Sequence, residues 1–180
     1  MKSLNSLSLE HEITSVIEIV EQRTIAFFRD EFCLQATTIE RRLHEKERVL
    51  RDMTAIVSVG SKAGLYIAFS YDDALIRALT TIYTAGLSIK PEEQELYVRE
   101  TASDVVNVIV GNITAHLAKR GEVITLSPPI LVEGARTIRG HQDATVAVLT
   151  LRFGVGAIDV EFVGPKMLFD EQLNYRGGTQ

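Results

Sequence analysis

Residues 100–117 read ETASDVVNVIVGNITAHL, and this segment predicts a long helix with two different faces. One face is apolar, because hydrophobic side chains recur every three or four residues and must pack on a core. Its members are Ala102, Val105, Val106, Ile109, Ile113 and Leu117. The opposite face keeps the same period but is polar or small, with Glu100, Asp104, Asn107, Gly111 and Thr114. The second face is therefore available to solvent or to another protein.

Asp104 and Asn107 are the residues on this face that point to chemistry. They lie one helical turn apart, so their side chains are neighbours. Neither group is a nucleophile, but a carboxylate binds a cation and an amide orients a water molecule. That combination suits the hydrolysis of an already activated phosphoryl group. Taken alone, an Asp and an Asn at this spacing are usually a solvated surface pair.

Size and composition limit the class of protein. The chain has 180 residues, 46% of them hydrophobic, which is enough for one domain with a substantial core. A net charge of -5 argues against a general nucleic-acid binder. The single cysteine, Cys33, excludes an internal disulfide framework and a multi-cysteine metal site, and we expect it to be a small packed side chain.

The ends of the chain and its charged segments predict a cytoplasmic protein. The first eight residues do not resemble a secretory signal, and no segment reaches membrane-spanning length.

A basic cluster at residues 41–51 is interleaved with acidic side chains, so we expect a solvated hairpin there rather than a binding patch. The four histidines have no paired ligand spacing, and no metal site is predicted.

The first half of the chain predicts a helix and then strands. Apolar residues repeat at helical spacing over 9–32, which predicts an amphipathic N-terminal helix. Strands with intervening turns follow, and we expect consecutive strands to pair as an antiparallel meander. The predicted strands are 37–43, 54–59 and 65–69, and the predicted turns are 44–48 and 60–64.

The second half predicts two helices and further strands. Ser70 or Asp72 is placed to cap a helix over 75–83, and Pro91 marks the start of the long helix, which runs to Gly121. The later strands are 123–126, 130–132, 145–153 and 157–163, with Pro128 and Pro129 at a strand edge. The sequence thus predicts an α+β fold, a mostly antiparallel sheet with flanking helices. We expect one domain over residues 1–170 and a disordered tail over 171–180.

Several features in order along residues 51–163 match a known family. They are the hairpin sequence GLYIAFS at 64–70, the helix residues Asn107, Gly111 and Asn112, and the double proline of SPPI at 127–130 before Gly134. Twenty residues separate Asn107 from Pro128 (128 − 107 − 1), a spacing similar to that family's. On these residues the chain resembles the CheX branch of the CheC, CheX and FliY chemotaxis phosphatases.

The resemblance implies an activity and a partner. The family's motif is a Glu followed three residues later by an Asn on an exposed helix, and the matching positions are Asp104 and Asn107. By resemblance, Asn107 would hold the water that attacks the aspartyl phosphate of a CheY-like response regulator, and Asp104 would grip the regulator's active-site lysine. The protein would be a hydrolase of two-component signalling with no cofactor of its own, since Mg²⁺ belongs to the regulator. We expect Glu100, Gly111 and Thr114 to contact that partner.

Two further expectations follow from the resemblance. The family forms dimers, so we expect a homodimer that pairs through a sheet edge. Asp104 in place of Glu shortens the acid by one methylene, about 1.5 Å, and a misplacement of about 1 Å can cost on the order of 100-fold in rate. The activity is then weakened, or Glu100 supplies the missing contact. The alternative function is a non-catalytic adaptor that binds a response regulator or a flagellar or chemotaxis component.

Overall fold

The computed structural model describes residues 4–45, 47–60, 65–119, 121, 125–134, 136–139 and 144–165. Within these residues lie three α-helices, which are α1 Leu4–Phe32, α2 Asp73–Tyr83 and α3 Gln94–Lys119. A single 3₁₀ turn, Pro91–Glu93, precedes α3. All three helices predicted from the sequence are confirmed.

The strands of the described residues form one large sheet and one small ribbon. They are β1 Thr38–Glu45, β2 Glu47–Val49, β3 Met53–Gly60, β4 Tyr66–Tyr71, β5 Thr125–Leu126, β6 Ile130–Glu133, β7 Thr137–Arg139, β8 Ala144–Phe153 and β9 Gly156–Pro165. The large sheet has the order β1-β8-β9-β4-β3-β5, and β6 also pairs with β3. Strands β2 and β7 pair separately as the β2–β7 ribbon. Every pairing is antiparallel, so the predicted α+β fold is confirmed.

The hydrophobic core lies between the helices and one face of the large sheet. Alternate residues of the central strands point into it, as the two-residue period of a strand requires. Core members include Val57, Phe69, Leu149, Ile158 and Val160 from the sheet, and Val20, Phe28, Leu79, Val105 and Ile109 from the helices. Each such side chain contributes about 1.5 to 3 kcal/mol by leaving water. This core holds the three helices in one layer.

Strand β1 pairs with β8, so the predicted pairing of the first two strands is wrong. Ile39 lies opposite Leu151, far away in sequence, and Arg41 lies opposite Leu149. A strand as charged as β1 suits the edge of a sheet, where its outer side stays hydrated. Strand β3 is instead central, and the hairpin predicted between it and β4 is confirmed. Residues 61–64 of that connection lie outside the described residues.

The predicted turn at 44–48 is also wrong for the residues described there, because 44–45 and 47–48 lie in strands. Strand β1 runs to Glu45, and β2 follows and pairs with β7, a strand that was not predicted. Three residues per strand are too few for a hydrophobic period to be visible. The predicted β8–β9 hairpin is confirmed, and β5 and β6 flank Pro128 and Pro129 beside β3 as expected.

Asp72 begins α2 and ties it to the sheet. Its carboxylate accepts hydrogen bonds from the backbone N–H groups of Leu75 at 2.8 Å and of Ala157 at 2.7 Å. The cap is therefore Asp72, one of the two predicted residues, because it satisfies an N–H that the helix leaves unpaired. Ser70, the other candidate, lies in β4, where its hydroxyl accepts from the backbone N–H of Arg51 at 2.6 Å.

Charged side chains are buried on the sheet face opposite the helices, which was not predicted. Asp159 and Glu161 alternate along β9 with the core residues, and both are buried. Two arginines cover this face: Arg48 Nη2 lies 2.6 Å and Arg51 Nε 2.8 Å from Asp159 Oδ2. The prediction that this basic segment is solvated is therefore wrong for Arg48 and Arg51.

The two buried carboxyl groups differ in their partners. Burial favours the neutral form of Asp159, but hydrogen bonds from Arg51 and Thr150 outweigh it and hold the pKa of Asp159 below its usual value. Neither oxygen of Glu161 has a hydrogen bond within the described part of the chain, and Arg48 Nε is 3.7 Å away. Burial, with the nearby charge of Asp159, raises the pKa of Glu161 to about 8.

Cys33 is exposed, so the prediction of a packed thiol is wrong. It lies just beyond α1 with φ of +54°, a left-handed conformation that ends the helix. The backbone N–H of Leu34 then donates to the carbonyl of Phe28 at 3.0 Å, which satisfies one of the last carbonyls of α1. This geometry turns the Cys33 side chain away from the core. The predicted tail 171–180 lies outside the described residues, and the one-domain boundary at residue 170 stays a prediction.

Candidate functional site

Helix α3 has the two faces that its sequence predicts. The six residues of the predicted apolar face, Ala102, Val105, Val106, Ile109, Ile113 and Leu117, are all fully buried. They pack between α1, α2 and the large sheet. Burial on three sides fixes the rotation of α3 about its axis, and with it the direction of the opposite face.

The opposite face is open in the folded protein. Glu100, Asp104, Asn107 and Gly111 are all exposed, as predicted. Thr114 is half-buried, and its hydroxyl donates to the carbonyls of Gly111 at 2.9 Å and of Val110 at 3.1 Å. Thr114 is thus turned toward its own helix, whereas the other four present their side chains, or in Gly111 a bare backbone, to solvent.

Asp104 and Asn107 are free to act on another molecule. Neither side chain has a hydrogen bond or an ion pair among the residues that the structure describes. Residues three apart on a helix place their Cβ atoms about 5 to 6 Å apart. A carboxylate and an amide at that separation can engage a cation and a water molecule in one pocket of a partner.

Helix α1 packs on α3 without covering the pair. Arg23 of α1 contacts the imidazole of His116, three turns beyond Asp104, and Glu21 of α1 accepts a hydrogen bond from Arg41 Nε of β1 at 3.1 Å. These polar contacts fix α1 along the side of α3 and against the sheet. Asp104 and Asn107 remain exposed with α1 in place.

Gly111 makes no close packing contact among the residues that the structure describes. A Cβ atom built at Gly111 would meet nothing within 4 Å. A glycine on an exposed helix face costs about 0.5 to 1 kcal/mol relative to alanine. This part of α3 is therefore a bare, open backbone surface.

Tyr83 lies within electrostatic range of Asp104 and was missed by the sequence analysis. It is the last residue of α2, and its ring packs on Phe32, the last residue of α1, with centroids 4.8 Å apart. Burial raises the pKa of the Tyr83 hydroxyl, and the charges of Glu31 and Asp104 raise it further. Nothing in the spacing of α2 signals this, because Tyr83 also fits the end of an apolar helix pattern.

A family comparison identifies the chain. The sequence profile described as "Chemotaxis phosphatase CheX" matches residues 53–152. The chain belongs to the CheX family. The matched region runs from β3 into β8 and contains all of α3, so the exposed Asp104 and Asn107 lie inside it. Helix α1, with Glu31, and strand β9 lie outside the match.

Solved structures with the same fold extend the likeness over most of this CheX family member. A chemotaxis protein CheX from Desulfovibrio desulfuricans superposes with a TM-score of 0.68 at 15% identity, covering 83% of this chain and 99% of that one. A CheC-like superfamily protein from Shewanella gives 0.68 at 16% identity, covering 83% and 96%. The CheX of a CheX–CheY–BeF₃–Mg²⁺ complex from Borrelia burgdorferi gives 0.63 at 17% identity, covering 82% and 96%. At these identities the likeness shows the fold. No curated protein sequence matches.

Metal clusters and membrane-spanning helices are both absent from the part of the chain that the structure describes. No group of three or more His, Cys, Asp or Glu side chains in them is arranged to hold a metal ion. No helix in the same residues is long and apolar enough to cross a membrane.

Proposed function

We propose that this CheX family member accelerates the hydrolysis of the aspartyl phosphate of a CheY-like receiver domain. The observation that carries the proposal is the exposed pair Asp104 and Asn107, side by side on a rigid helix and without partners in the described chain. The family's description as a chemotaxis phosphatase supports it. So does the fold shared with a CheX that was solved in complex with CheY.

The proposed chemistry needs positioning and little else. The Asn107 amide would hold a water molecule in line with the phosphorus. The water oxygen bonds to phosphorus as the bond to the aspartyl oxygen breaks, which leaves inorganic phosphate and a free carboxylate on the receiver. Positioning of this kind can lower a barrier by up to about 7 to 11 kcal/mol. No covalent intermediate on this chain is required.

The remaining residues of the face would bind the receiver. Asp104 would grip a basic side chain of the receiver, and Glu100, one turn earlier, would add a second carboxylate. Gly111 would allow the receiver's backbone to approach, and Thr114 would border that contact. Mg²⁺ would be carried by the receiver, where it neutralises phosphate charge, so this chain would need no metal of its own.

The decisive test compares two asparagines of α3. The decay of a phosphorylated CheY-like receiver from the same organism is followed with wild type, Asn107→Ala and Asn112→Ala. Asn112 is also exposed on α3 but lies off the Asp104 row, so it is the matched control. We expect Asn107→Ala to lose on the order of 100- to 1,000-fold in rate and Asn112→Ala to retain it. Equal decay with wild type and Asn107→Ala would refute a catalytic role for the pair.

A non-catalytic adaptor is the second candidate, and the short acid at position 104 favours it. Loss of one methylene removes about 1.5 Å of reach, and a misplacement of about 1 Å can cost on the order of 100-fold in rate. Tight binding of the activated receiver without any faster loss of phosphate would support the adaptor and reject the phosphatase.

We also propose a homodimer that pairs through the sheet edge at β6. Ile130 is 68% exposed at the start of this strand, and Tyr66, on the neighbouring part of the sheet, is 51% exposed. A short apolar edge of this kind is open to strand pairing with a second copy. The other edge, β1, carries charges that oppose such pairing. Light scattering that shows only monomer at micromolar concentration would reject the dimer.

A further inference from the structure

The ends of α1 and α2 meet at the contact of Phe32 with Tyr83, within electrostatic range of Asp104 on α3. The Tyr83 ring packs on Phe32 at a centroid distance of 4.8 Å and an interplanar angle of 31°. Phe32 is buried and in turn contacts the rings of Phe27 and Phe28. The position of the Tyr83 ring is therefore set by the core and not by solvent, as a preorganised contact surface requires.

The rest of the Tyr83 side chain is open and lies near two acidic groups. Tyr83 is 40% exposed, although its ring is anchored on one side. Glu31 and Asp104, both exposed, are the carboxylates close enough for their charges to act on its hydroxyl. Neither is in an ion pair within the part of the chain that the structure describes. A fixed aromatic ring with unpaired carboxylates around it attracts a cation more strongly than either feature does alone.

We propose that Tyr83 is a partner-contact residue, whose ring packs against the basic side chain of the receiver that Asp104 grips. This inference rests on the proposed function and adds a specific contact to it. Because Tyr83 meets the partner's basic group and not the water or the phosphorus, it acts on binding.

The experiment separates the ring from its hydroxyl and from its packing. Tyr83→Leu removes the ring but keeps apolar bulk on Phe32, and Tyr83→Phe keeps the ring and removes the hydroxyl. Val49→Ala is the control, because Val49 is an exposed apolar residue of the β2–β7 ribbon, which has no part in either proposed interface. For each variant we would measure Kd for the CheY-like receiver of the same organism, activated with beryllofluoride and Mg²⁺, together with KM and kcat for dephosphorylation.

We expect Tyr83→Leu to raise Kd and KM by about 2- to 30-fold with little change in kcat. Tyr83→Phe and Val49→Ala should both stay within about two-fold of wild type, because the first keeps the ring and the second changes a residue on the β2–β7 ribbon. Glu31→Gln leaves the packing on Phe32 intact and should raise Kd by up to about five-fold. If thermal unfolding shows that Tyr83→Leu is poorly folded, the Kd of Glu31→Gln tests the inference in its place.

Several results would overturn the inference. A wild-type Kd for Tyr83→Leu would do so, as would an equal loss in Tyr83→Phe or a fall in kcat at unchanged Kd. The proposed phosphatase activity fails separately: wild type then binds the receiver without accelerating loss of phosphate, and the Kd values still test Tyr83. If wild type does not bind the receiver at all, both proposals are rejected.

Discussion

Glu161 should make the stability of the protein fall as pH rises from about 5 to about 8. Its carboxyl group is buried on the outer face of the sheet, and burial raises its pKa from the ordinary 4.5 to about 8. Below pH 4.5 the folded and unfolded chains both bind this proton, so Glu161 carries no penalty. Between the two pKa values only the folded chain keeps it, and the free energy of unfolding declines with each pH unit.

The size of the effect follows from the two pKa values. Each pH unit between them corresponds to about 1.4 kcal/mol, so the full loss is about 4 to 5 kcal/mol, reached once pH passes about 8. Burial and the negative charges of Asp159 and Glu45 raise the pKa of Glu161. The positive charges of Arg48 on β2 and of Arg51, which follows β2, lower it but do not outweigh them. The full loss is a large fraction of the 5 to 15 kcal/mol that stabilises a typical domain.

Glu161→Gln is the perturbation that isolates this group. The amide cannot ionise, so the variant should not share the loss, although its own unpaired N–H groups cost about 1 to 3 kcal/mol at every pH. We would measure the free energy of unfolding by urea titration at pH 5, 6.5 and 8.5. The free energy of unfolding of the variant minus that of wild type should increase by several kcal/mol from pH 5 to pH 8.5. All other titrating groups are the same in the two proteins, so their contributions to this difference cancel.

An exposed glutamate provides the control for Glu161→Gln. Glu92→Gln makes the same chemical change at an exposed glutamate before α3, far from this sheet face, and is the control. If the Glu161→Gln difference changes no more with pH than that of Glu92→Gln, the buried carboxyl is not held neutral by the fold. The interpretation of this sheet face would then be wrong.

Three further predictions concern the α3 face and the start of α2. Asp104→Glu restores one methylene of reach, about 1.5 Å, and should raise the dephosphorylation rate by up to on the order of 100-fold; an unchanged or lower rate in a stopped-flow assay would show that the short acid is already well placed. A Cβ atom at Gly111 meets nothing within 4 Å, so Gly111→Leu should leave the melting temperature unchanged or raise it, because a helical glycine costs about 0.5 to 1 kcal/mol relative to alanine. Steric conflict with the receiver should weaken binding on the order of ten-fold in calorimetry; normal binding would contradict a close approach at this glycine. Gly156→Ala should destabilise the fold by about 2 to 4 kcal/mol in urea unfolding, because φ is +151° and a Cβ would lie 2.5 Å from Asp72 Oδ1; a stable variant would mean that the turn can shift.

The helix of the candidate site could be predicted from the sequence because the spacing of apolar and polar residues within α3 alone specifies it. Burial of the residues from Ala102 to Leu117 follows from their spacing, and the exposure of Asp104 and Asn107 follows from the same period. The β8–β9 hairpin was equally accessible, since a glycine-containing turn joins two apolar strands. Each of these features depends on residues within about thirty positions of one another.

The features that were missed depend on distant residues. Strand β1 is paired through Ile39 and Leu151, and no pattern within either segment specifies the other. The alternation of Asp159 and Glu161 with apolar residues resembles a strand with one solvated face. Only the arrival of Arg48 and Arg51 from more than a hundred residues away shows that this face is covered. The position of Tyr83 within electrostatic range of Asp104 is likewise a product of packing between helices.

Asp72, the cap of α2, connects the arginine-covered face of the sheet to the helix that carries Tyr83. Asp72 receives backbone hydrogen bonds from Leu75 and Ala157, and Arg51, which is held by Asp159, lies 3.9 Å from it. An eleven-residue helix, about 16 Å long, separates this junction from Tyr83. A substitution of Arg51 or Asp159 on that face of the sheet would therefore loosen the start of α2 and change the position of Tyr83 at its end. The proposed contact of Tyr83 with the receiver would then be weakened by a change on the opposite face of the sheet.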